Sequence, residues 1–250
     1  MAEETPSQTV PETVKAAIAD RPVEGRVCLE AGAGVGNTTA GLLAAGAARV
    51  YAVTDDPAHA AAVRDRCGDA TDRLVVVEGD LRQTPLRPDS VDLVTAHGLC
   101  NLLDPAALAA VAAEFSRVAA AGCHLVVDDY EPLPESAAVR DLFAVENAAT
   151  ELATGRSALT FYPASLLRRV FAGHGWTFDR ERTLLDPVPW TASHLSAHAG
   201  VVTDAIAGLP PELGDPLERR AERLVEAIGE EFAGTMYSVA MTRPDGDETR

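Results

Sequence analysis

The stretch LEAGAGVGNTT (residues 29–39) decides the fold, because three glycines alternate with small residues directly after an apolar run. The run that enters it, RVCLEA (26–31), is short and β-rich. The run that leaves it, NTTAGLLAAGA (37–47), is typical of a helix with Asn37 as its N-cap. Glycine leaves the backbone bare, and the amides at a helix start favour anionic groups. The stretch therefore predicts a strand, a ligand-binding turn and a helix.

The same alternation continues through the first half of the chain. Its strands are apolar nearly throughout, which is typical of strands covered on both faces. Strands that alternate with helices over short links indicate an α/β fold with a doubly wound, mostly parallel sheet. The predicted strands are 49–54, 73–80, 90–96 and 124–129, and the predicted helices are 57–68 and 105–122.

The second half alternates less regularly. It predicts helices at 135–155, 163–175, 191–207 and 216–233, and strands at 176–184 and 234–244. No repeat or low-complexity linker interrupts the chain, so a single domain over residues 1–250 is expected. Its predicted parts are an N-terminal helix region (1–22), a helical insert or cap (185–233) and a disordered tail (244–250).

Charge is the unusual feature of the composition. The chain of 250 residues has a formal net charge of −17, and Lys15 is its single lysine. An acidic surface repels phosphate backbones, so a nucleic-acid partner is disfavoured. A halophilic origin is an alternative explanation, because proteins of a salt-loaded cytoplasm are acidic whatever they bind.

No signal peptide and no membrane-spanning segment is evident in the sequence. The start, MAEETPSQTV, has no apolar h-region, and no stretch reaches the roughly 18 apolar residues of a membrane helix. A cytoplasmic protein without membrane contact is expected. His194 and His198 share a helix face at i, i+4, but the sequence shows no third ligand, so no metal site is predicted. The four cysteines are Cys28, Cys67, Cys100 and Cys123, whose wide spacing fits no metal template.

The glycine spacing separates two classes of nucleotide-binding protein. A dinucleotide fingerprint needs a third glycine at position 37, where this chain has asparagine. The pattern from Glu30 to Gly36, E-x-G-x-G-x-G, resembles the first motif of class I S-adenosylmethionine-dependent methyltransferases. Later motifs of that family resemble VYAVTDDP, VVEGDL, DSVDLVTAHGLCNLLDP and FSRVAAAGCHLVVDD, so the resemblance extends over residues 26–129.

The resemblance implies a seven-stranded sheet whose last strand, GTMYSVAMTRP, is antiparallel, with helices on both faces and S-adenosyl-L-methionine as cofactor. The glutamate ahead of the glycines would face the amino group of the methionine moiety, and the glycines would pass under the amino-acid part and ribose. The acid closing the third strand would accept from the adenine amine, and the next backbone would meet the adjacent ring nitrogen. These residues are Glu30, Gly32, Gly34, Gly36, Asp80 and Leu81.

One position departs from the family pattern. The family ends its second strand with an acid that takes both ribose hydroxyls, and in register this residue is Thr54. Either Asp55 reaches the ribose through a one-residue shift, or Thr54 makes a single weaker bond. Asp56, which precedes Pro57, is predicted to cap the next helix.

The acceptor side is predicted from the residues after the fourth and fifth strands. The stretch TAHGLCN (95–101) has neither the N/D-P-P-Y/F motif of amine methylases nor the two glutamates of arginine methylases. His97 is instead a candidate general base. Asp128, Asp129, Tyr130 and Glu131 would line the acceptor side, and Asp128 and Tyr130 are further catalytic candidates. The insert around 187–200, Trp190 and His194 included, would cover it; packing on the outer sheet face or a homodimer is the alternative.

The predicted activity is methyl transfer from S-adenosylmethionine to a small molecule, on oxygen or carbon. The alternatives are an RNA- or protein-directed methyltransferase and a non-catalytic S-adenosylmethionine-binding protein. A nicotinamide oxidoreductase is disfavoured by Asn37 and by the final strand.

Overall fold

A central sheet organises the computed structural model, which describes residues 9–68 and 72–245. Seven strands form it: β1 (Val27–Ala31), β2 (Arg49–Thr54), β3 (Leu74–Glu78), β4 (Val91–His97), β5 (Ala119–Tyr130), β6 (Thr177–Leu185) and, after two short strands, β9 (Met236–Thr242). Their order is β3-β2-β1-β4-β5-β9-β6. β9 runs antiparallel to both its neighbours, and the other adjacent pairs are parallel. The predicted fold class is confirmed.

Helices cover both faces of this sheet. Their bounds are α1 (Glu12–Ile18), α2 (Asn37–Ala44), α3 (Pro57–Cys67), α4 (Pro105–Val118), α5 (Val139–Thr154), α6 (Ala164–Gly173), α7 (Ala192–Ile206) and α8 (Pro211–Ile228). On one face, Phe115 of α4 and Phe171 of α6 are fully buried against β1, β4, β5 and β9. On the other face, α1 and α2 contribute Ile18 and Leu42 to a second core cluster. Burial on both faces explains why the strands carry continuous apolar runs.

Three helices form a cap beyond the carboxyl end of β5. α5, α7 and α8 pack on one another around a separate apolar cluster that includes Leu142, Leu195 and Leu224. Met236, which pairs with Tyr130 in the sheet, joins this cluster and connects it to the strands. A small two-stranded sheet of β7 (Pro189–Trp190) and β8 (Glu231–Phe232), which the sequence did not predict, ties the two ends of the insert together.

Two predicted boundaries are wrong. The helix predicted over 105–122 ends at Val118, because Ala119 pairs with Val91 in the sheet and the Gly122 amide donates to the Arg243 carbonyl at 3.1 Å. Sheet pairing thus overrides the helix propensity of the alanine run. The helix predicted from 216 begins at Pro211 and ends at Ile228, and Pro216 lies inside it.

The tail, the cysteines and the helix lengths complete the description of the fold. The predicted tail, 244–250, lies largely outside the described residues. All four cysteines are buried and free. Among the described helices, none is long and apolar enough to cross a membrane.

Candidate active site

The glycine turn forms one wall of a cavity of about 520 Å³ at the carboxyl ends of the parallel strands. Gly32 and Gly34 line this glycine cavity, with φ angles of 73° and 49°. A Cβ added at Gly34 would meet only the Gly32 carbonyl oxygen, at 4.0 Å, so the backbone here faces open space. Open α/β sheets bind ligands at this edge.

The third glycine of the motif has a different neighbour. A Cβ at Gly36 would lie 3.3 Å from the Arg66 side chain and 3.4 Å from Val63 Cα. Gly36 also adopts a left-handed conformation, φ 79°, directly before α2. This glycine therefore allows α2 and α3 to pack closely, and it faces the protein interior rather than the cavity.

The strand-end loops supply the other walls of the glycine cavity. The loops that follow β2, β3 and β4 contribute, as do Ala107 and Val111 of α4 and Arg156 and Ser157 after α5. Four predicted cofactor-binding residues line the cavity here: Thr54, Asp55, Asp80 and Leu81. The other lining residues near these strand ends include Asp56, His59, Arg82, His97 and Leu99. The structure thus brings together residues from three motifs that lie far apart in the sequence.

The loop after β2 presents two acids to the cavity. The Thr54 hydroxyl is buried and accepts from the Asp56 amide at 3.2 Å. Asp56 Oδ1 accepts from the Ala58 amide at 2.7 Å and so caps α3, as its place before Pro57 predicts. Asp55 lines the cavity with an exposed side chain. Thr54 and Asp56 are thus already engaged by backbone amides.

Asp80, the acid after β3, pairs with Arg82, which no sequence motif singled out. Arg82 donates from Nε and Nη2 to both carboxylate oxygens of Asp80, at 2.6–2.9 Å. These hydrogen bonds lower the pKa of Asp80. Because Asp80 and Arg82 are both half exposed, the pair can separate at small cost when another donor reaches the carboxylate.

Glu30 lies behind the glycine turn. Only 3% of the residue is exposed, and its carboxylate accepts a hydrogen bond from the Thr39 hydroxyl. Burial raises the pKa of Glu30 to about 7, although the Thr39 contact acts in the opposite direction. An ionised Glu30 thus depends on a cationic partner, which is the property expected of a residue that faces an amino group.

His97 and Asp128 form a pair at the carboxyl ends of β4 and β5. These strands align His97 with Asp128, and His97 Nδ1 lies 3.0 Å from Asp128 Oδ2. His97 lines the glycine cavity, whereas Asp128 is buried behind it. Asp128 Oδ1 is buried and has no hydrogen-bond partner among the described residues. The arrangement orients the imidazole ring toward the cavity.

A second cavity, of about 210 Å³, lies under the cap, and we call it the aromatic cavity. Trp190 is its central ring, with centroids 5.5 Å from Tyr130 and 5.2 Å from Phe143. Burial raises the pKa of Tyr130 to about 12, so this phenol stays protonated at neutral pH. The wall contains Asn101, Tyr130, Phe161, Trp190, His194 and His198.

The two histidines of the insert both reach this wall, but each ring already has a partner. His194 Nδ1 lies 3.1 Å from the Pro189 carbonyl, and His198 Nδ1 lies 2.7 Å from Glu146 Oε2. In the part of the chain that the structure describes, no group of three or more His, Cys, Asp or Glu could hold a metal ion.

Among the described residues, the two cavities share no lining residue: His97 lines the glycine cavity, whereas Tyr130, Trp190 and His194 line the aromatic cavity. The short 3₁₀ turn Cys100–Leu102 follows β4; Leu99 and Leu102 line the glycine cavity, whereas Asn101 lines the aromatic cavity. The Asn101 amide donates to Asp129 at 2.9 Å. Asn101 lies within TAHGLCN, but no local pattern predicts its orientation, which depends on contacts with β5.

Comparison with known proteins agrees with this geometry. Residues 28–122 match a family model described as a methyltransferase domain. No curated protein sequence matches the chain.

Solved structures show the fold over nearly the whole chain. YcgJ from Bacillus subtilis matches with a TM-score of 0.63 and 13% identity, covering 94% of this chain and 99% of its own. A geranyl diphosphate C-methyltransferase from Streptomyces coelicolor A3(2) matches with a TM-score of 0.59 and 15% identity, covering 92% and 76%. The [4+2]-cyclase SpnF matches with a TM-score of 0.63 and 15% identity, covering 93% and 80%.

Residues 28–122 thus resemble a methyltransferase domain, and the fold around them is Rossmann-like. The methyltransferase match over residues 28–122 and the shared fold agree with the predicted class, a class I S-adenosylmethionine-dependent methyltransferase.

Proposed function

We propose that the protein transfers the methyl group of S-adenosylmethionine to a small molecule, on oxygen or on a carbon with an acidic proton. The observation that carries the proposal is the His97–Asp128 pair, at 3.0 Å, in the wall of a cavity built on bare glycine backbone. Such a pair provides a positioned proton acceptor, which methyl transfer to oxygen or carbon can use.

The glycine cavity fits the cofactor in size and in chemistry. Its volume of about 520 Å³ lies within the usual range of about 300–1,000 Å³ for sites of drug-sized ligands. Gly32 and Gly34 would support the amino-acid part, Asp55 would accept from the ribose hydroxyls, and Asp80 would accept from the adenine amine. The bound cofactor supplies an electrophilic methyl group on a positively charged sulfur.

Glu30 fits the same cofactor through its charge. Its carboxylate forms no ion pair with an arginine or lysine of the described residues, and burial raises its pKa to about 7. The amino group of the methionine moiety would supply the missing positive charge, directly or through water. Binding would thereby stabilise the ionised form of Glu30.

His97 would act as the base. Asp128 Oδ2 accepts from Nδ1, which leaves the Nε2 lone pair free to take the proton from the acceptor atom as the methyl group arrives. The acceptor atom would form a bond to the methyl carbon and lose its proton to Nε2, while the carbon–sulfur bond would break and its electron pair would leave with the sulfur of S-adenosylhomocysteine. The carboxylate of Asp128 then stabilises the imidazolium.

The cap would exclude water from the transfer. Displacement at a sulfonium needs alignment and a dry site more than covalent help. Trp190 and His194 lie with Tyr130 in the aromatic cavity, next to the turn that also lines the glycine cavity. The proposal therefore assigns the insert to the acceptor pocket rather than to a dimer contact.

Methyl transfer from tritium-labelled S-adenosylmethionine to a panel of small hydroxylated acceptors tests the proposed function. Asp128→Asn should lower the transfer rate about 10²- to 10⁴-fold, the usual contribution of a general base, with S-adenosylhomocysteine affinity within about threefold of wild type. Exposed Leu152→Ala, on the outer surface of α5, serves as the control variant. Cofactor binding without transfer to any acceptor would favour a non-catalytic binding protein.

A further inference from the structure

We infer that Arg156, which lies outside the methyltransferase match, binds the adenosine part of the cofactor and places its guanidinium on a face of the adenine ring. The inference rests on the proposed function, because it names a further contact of the same cofactor. It gives α5, the first helix of the cap, a part in cofactor binding that residues 28–122 do not supply.

Arg156 reaches the glycine cavity from the cap. α5 ends at Thr154, Gly155 follows with a φ angle of 76°, and Arg156 and Ser157 then line the cavity. A left-handed residue after a helix ends the helix and turns the chain away from its axis. The end of α5 therefore determines where these two lining residues lie.

The loop that follows Arg156 is fixed to the elements on both sides of it. Asn147 of α5 accepts from the Leu159 amide at 2.7 Å and donates to the Leu159 carbonyl at 3.0 Å. The Thr160 amide then donates to the Asn101 carbonyl at 2.7 Å, which connects the loop to the turn after β4. The backbone is thus held beside the glycine cavity before any ligand binds, so binding costs little further ordering of the loop.

The side chain of Arg156, in contrast, is weakly engaged. It is 67% exposed, and its Nε lies 3.9 Å from Asp104 Oδ2, beyond hydrogen-bond distance. An exposed ion pair of this kind contributes little to stability, so the guanidinium can leave it at small cost. Arg82, the other arginine of the described cavity wall, instead donates to both carboxylate oxygens of Asp80 at 2.6–2.9 Å. Of these two arginines, Arg156 is the one that can take a new partner.

The position of Arg156 along the cavity favours adenine as this partner. The hydrogen bond from the Ala107 amide lowers the pKa of Asp104, and the charges of Arg156 and Arg82 act in the same direction. Asp104 is therefore near both arginines. Because Arg82 in turn holds Asp80, the residue proposed for the adenine amine, Arg156 lies at the adenine end of the cavity.

The chemistry of a guanidinium matches an adenine ring at this place. The guanidinium is planar and weakly hydrated, and it stacks on aromatic faces. Leu102 and Leu103, which precede Asp104, add apolar surface to the same part of the wall. The rival partner is the carboxylate of the methionine moiety. The amino group of that moiety is assigned to Glu30, which is buried behind the glycine turn rather than beside Asp104.

Calorimetry with S-adenosylhomocysteine and with 5′-methylthioadenosine tests the inference, because the second ligand keeps the adenosine and lacks the carboxylate. Arg156→Met should bind both ligands about 3- to 10-fold more weakly than wild type, the usual range for an arginine on an aromatic face. Arg156→Lys keeps the charge without the planar group and should recover only part of this loss. Arg140→Met, at an exposed position of α5 that lines neither cavity, is the matched control and should bind both ligands as wild type does.

The other outcomes overturn the inference. Unchanged affinity of Arg156→Met for both ligands removes the contact, and a loss confined to S-adenosylhomocysteine assigns Arg156 to the carboxylate. Full recovery in Arg156→Lys, or an equal loss in Arg140→Met, reduces the effect to charge. Wild-type protein that binds S-adenosylhomocysteine but not 5′-methylthioadenosine places the affinity outside the adenosine part. These results leave the proposed function intact, whereas wild-type protein that binds neither ligand rejects the proposed function itself.

Discussion

At the scale of residues, two glycines of one motif have different surroundings. Gly34 faces open space in the glycine cavity, whereas Gly36 touches Val63 and Arg66 of α3. Both have positive φ, so any side chain at either position is strained by a similar amount, about 1–2 kcal/mol. Within three residues, the motif therefore changes from a glycine that faces the cavity to a glycine that packs against a helix.

This difference predicts opposite effects of two alanine substitutions. Gly36→Ala should lower the free energy of unfolding more than Gly34→Ala, because only its methyl group meets backbone at 3.4 Å. Gly34→Ala should weaken S-adenosylhomocysteine more, since its methyl group would project into the space proposed for the ligand. Thermal unfolding and calorimetry measure the two quantities. The same rank order in both experiments would contradict the assignment.

The ribose contact is a second prediction at this scale. Asp55→Ala should weaken S-adenosylhomocysteine about tenfold, which is the loss of a charge-assisted bond pair. Asp56→Ala should instead cost about 1 kcal/mol of stability, because it removes the cap of α3.

Calorimetry and denaturant unfolding of both variants check this prediction. Near-wild-type affinity for both would assign the ribose to Thr54.

At the scale of elements, structure that is determined by neighbouring residues can be predicted from the sequence. Contacts between elements that lie far apart in the sequence cannot. The glycine turn and the cap at Asp56 follow from adjacent residues, so their structure is predictable. The start of β5 at Ala119 depends on pairing with Val91, which no local pattern reveals. The orientation of Asn101 likewise depends on Asp129, 28 positions away.

An ion network fixes the N-terminal helix region to the edge strand β6. Asp20, after α1, accepts from Arg21, Arg180 and Arg182 at 2.6–3.1 Å. Burial opposes the ionisation of Asp20, but hydrogen bonds from Arg21 and Arg180 outweigh it and hold the pKa well below its usual range.

Asp20→Asn should therefore lower the free energy of unfolding by about 1 kcal/mol at pH 7, the upper end for partly exposed pairs. A depressed folded-state pKa contributes stability above the unfolded pKa of about 3.9, and this contribution is lost as the pH falls. The difference between variant and wild type should thus shrink below about pH 4. Urea unfolding across this range measures it, with the exposed pair Lys15–Glu12 as control through Glu12→Gln. A constant difference at all pH values would contradict an ionic origin.

At the scale of the whole molecule, the fold holds two cavities, one at the carboxyl ends of the parallel strands and one under the helical cap. Residues from three strand-end loops line the glycine cavity, and the cap closes the aromatic cavity beside it. The family model covers residues 28–122, which supply the glycine cavity, whereas the cap lies outside this match. The matched segment supplies most of the residues that we propose for the cofactor, and the cap supplies Trp190 and His194, which we propose for the acceptor.

The central claim is that the glycine cavity binds S-adenosylmethionine rather than a dinucleotide. Isothermal titration calorimetry of the wild-type protein with S-adenosylhomocysteine and with NAD tests it most directly. The account predicts saturable binding of S-adenosylhomocysteine at one site and no measurable heat with NAD, because the third glycine of the dinucleotide fingerprint is Asn37. Tighter binding of NAD than of S-adenosylhomocysteine would contradict the account.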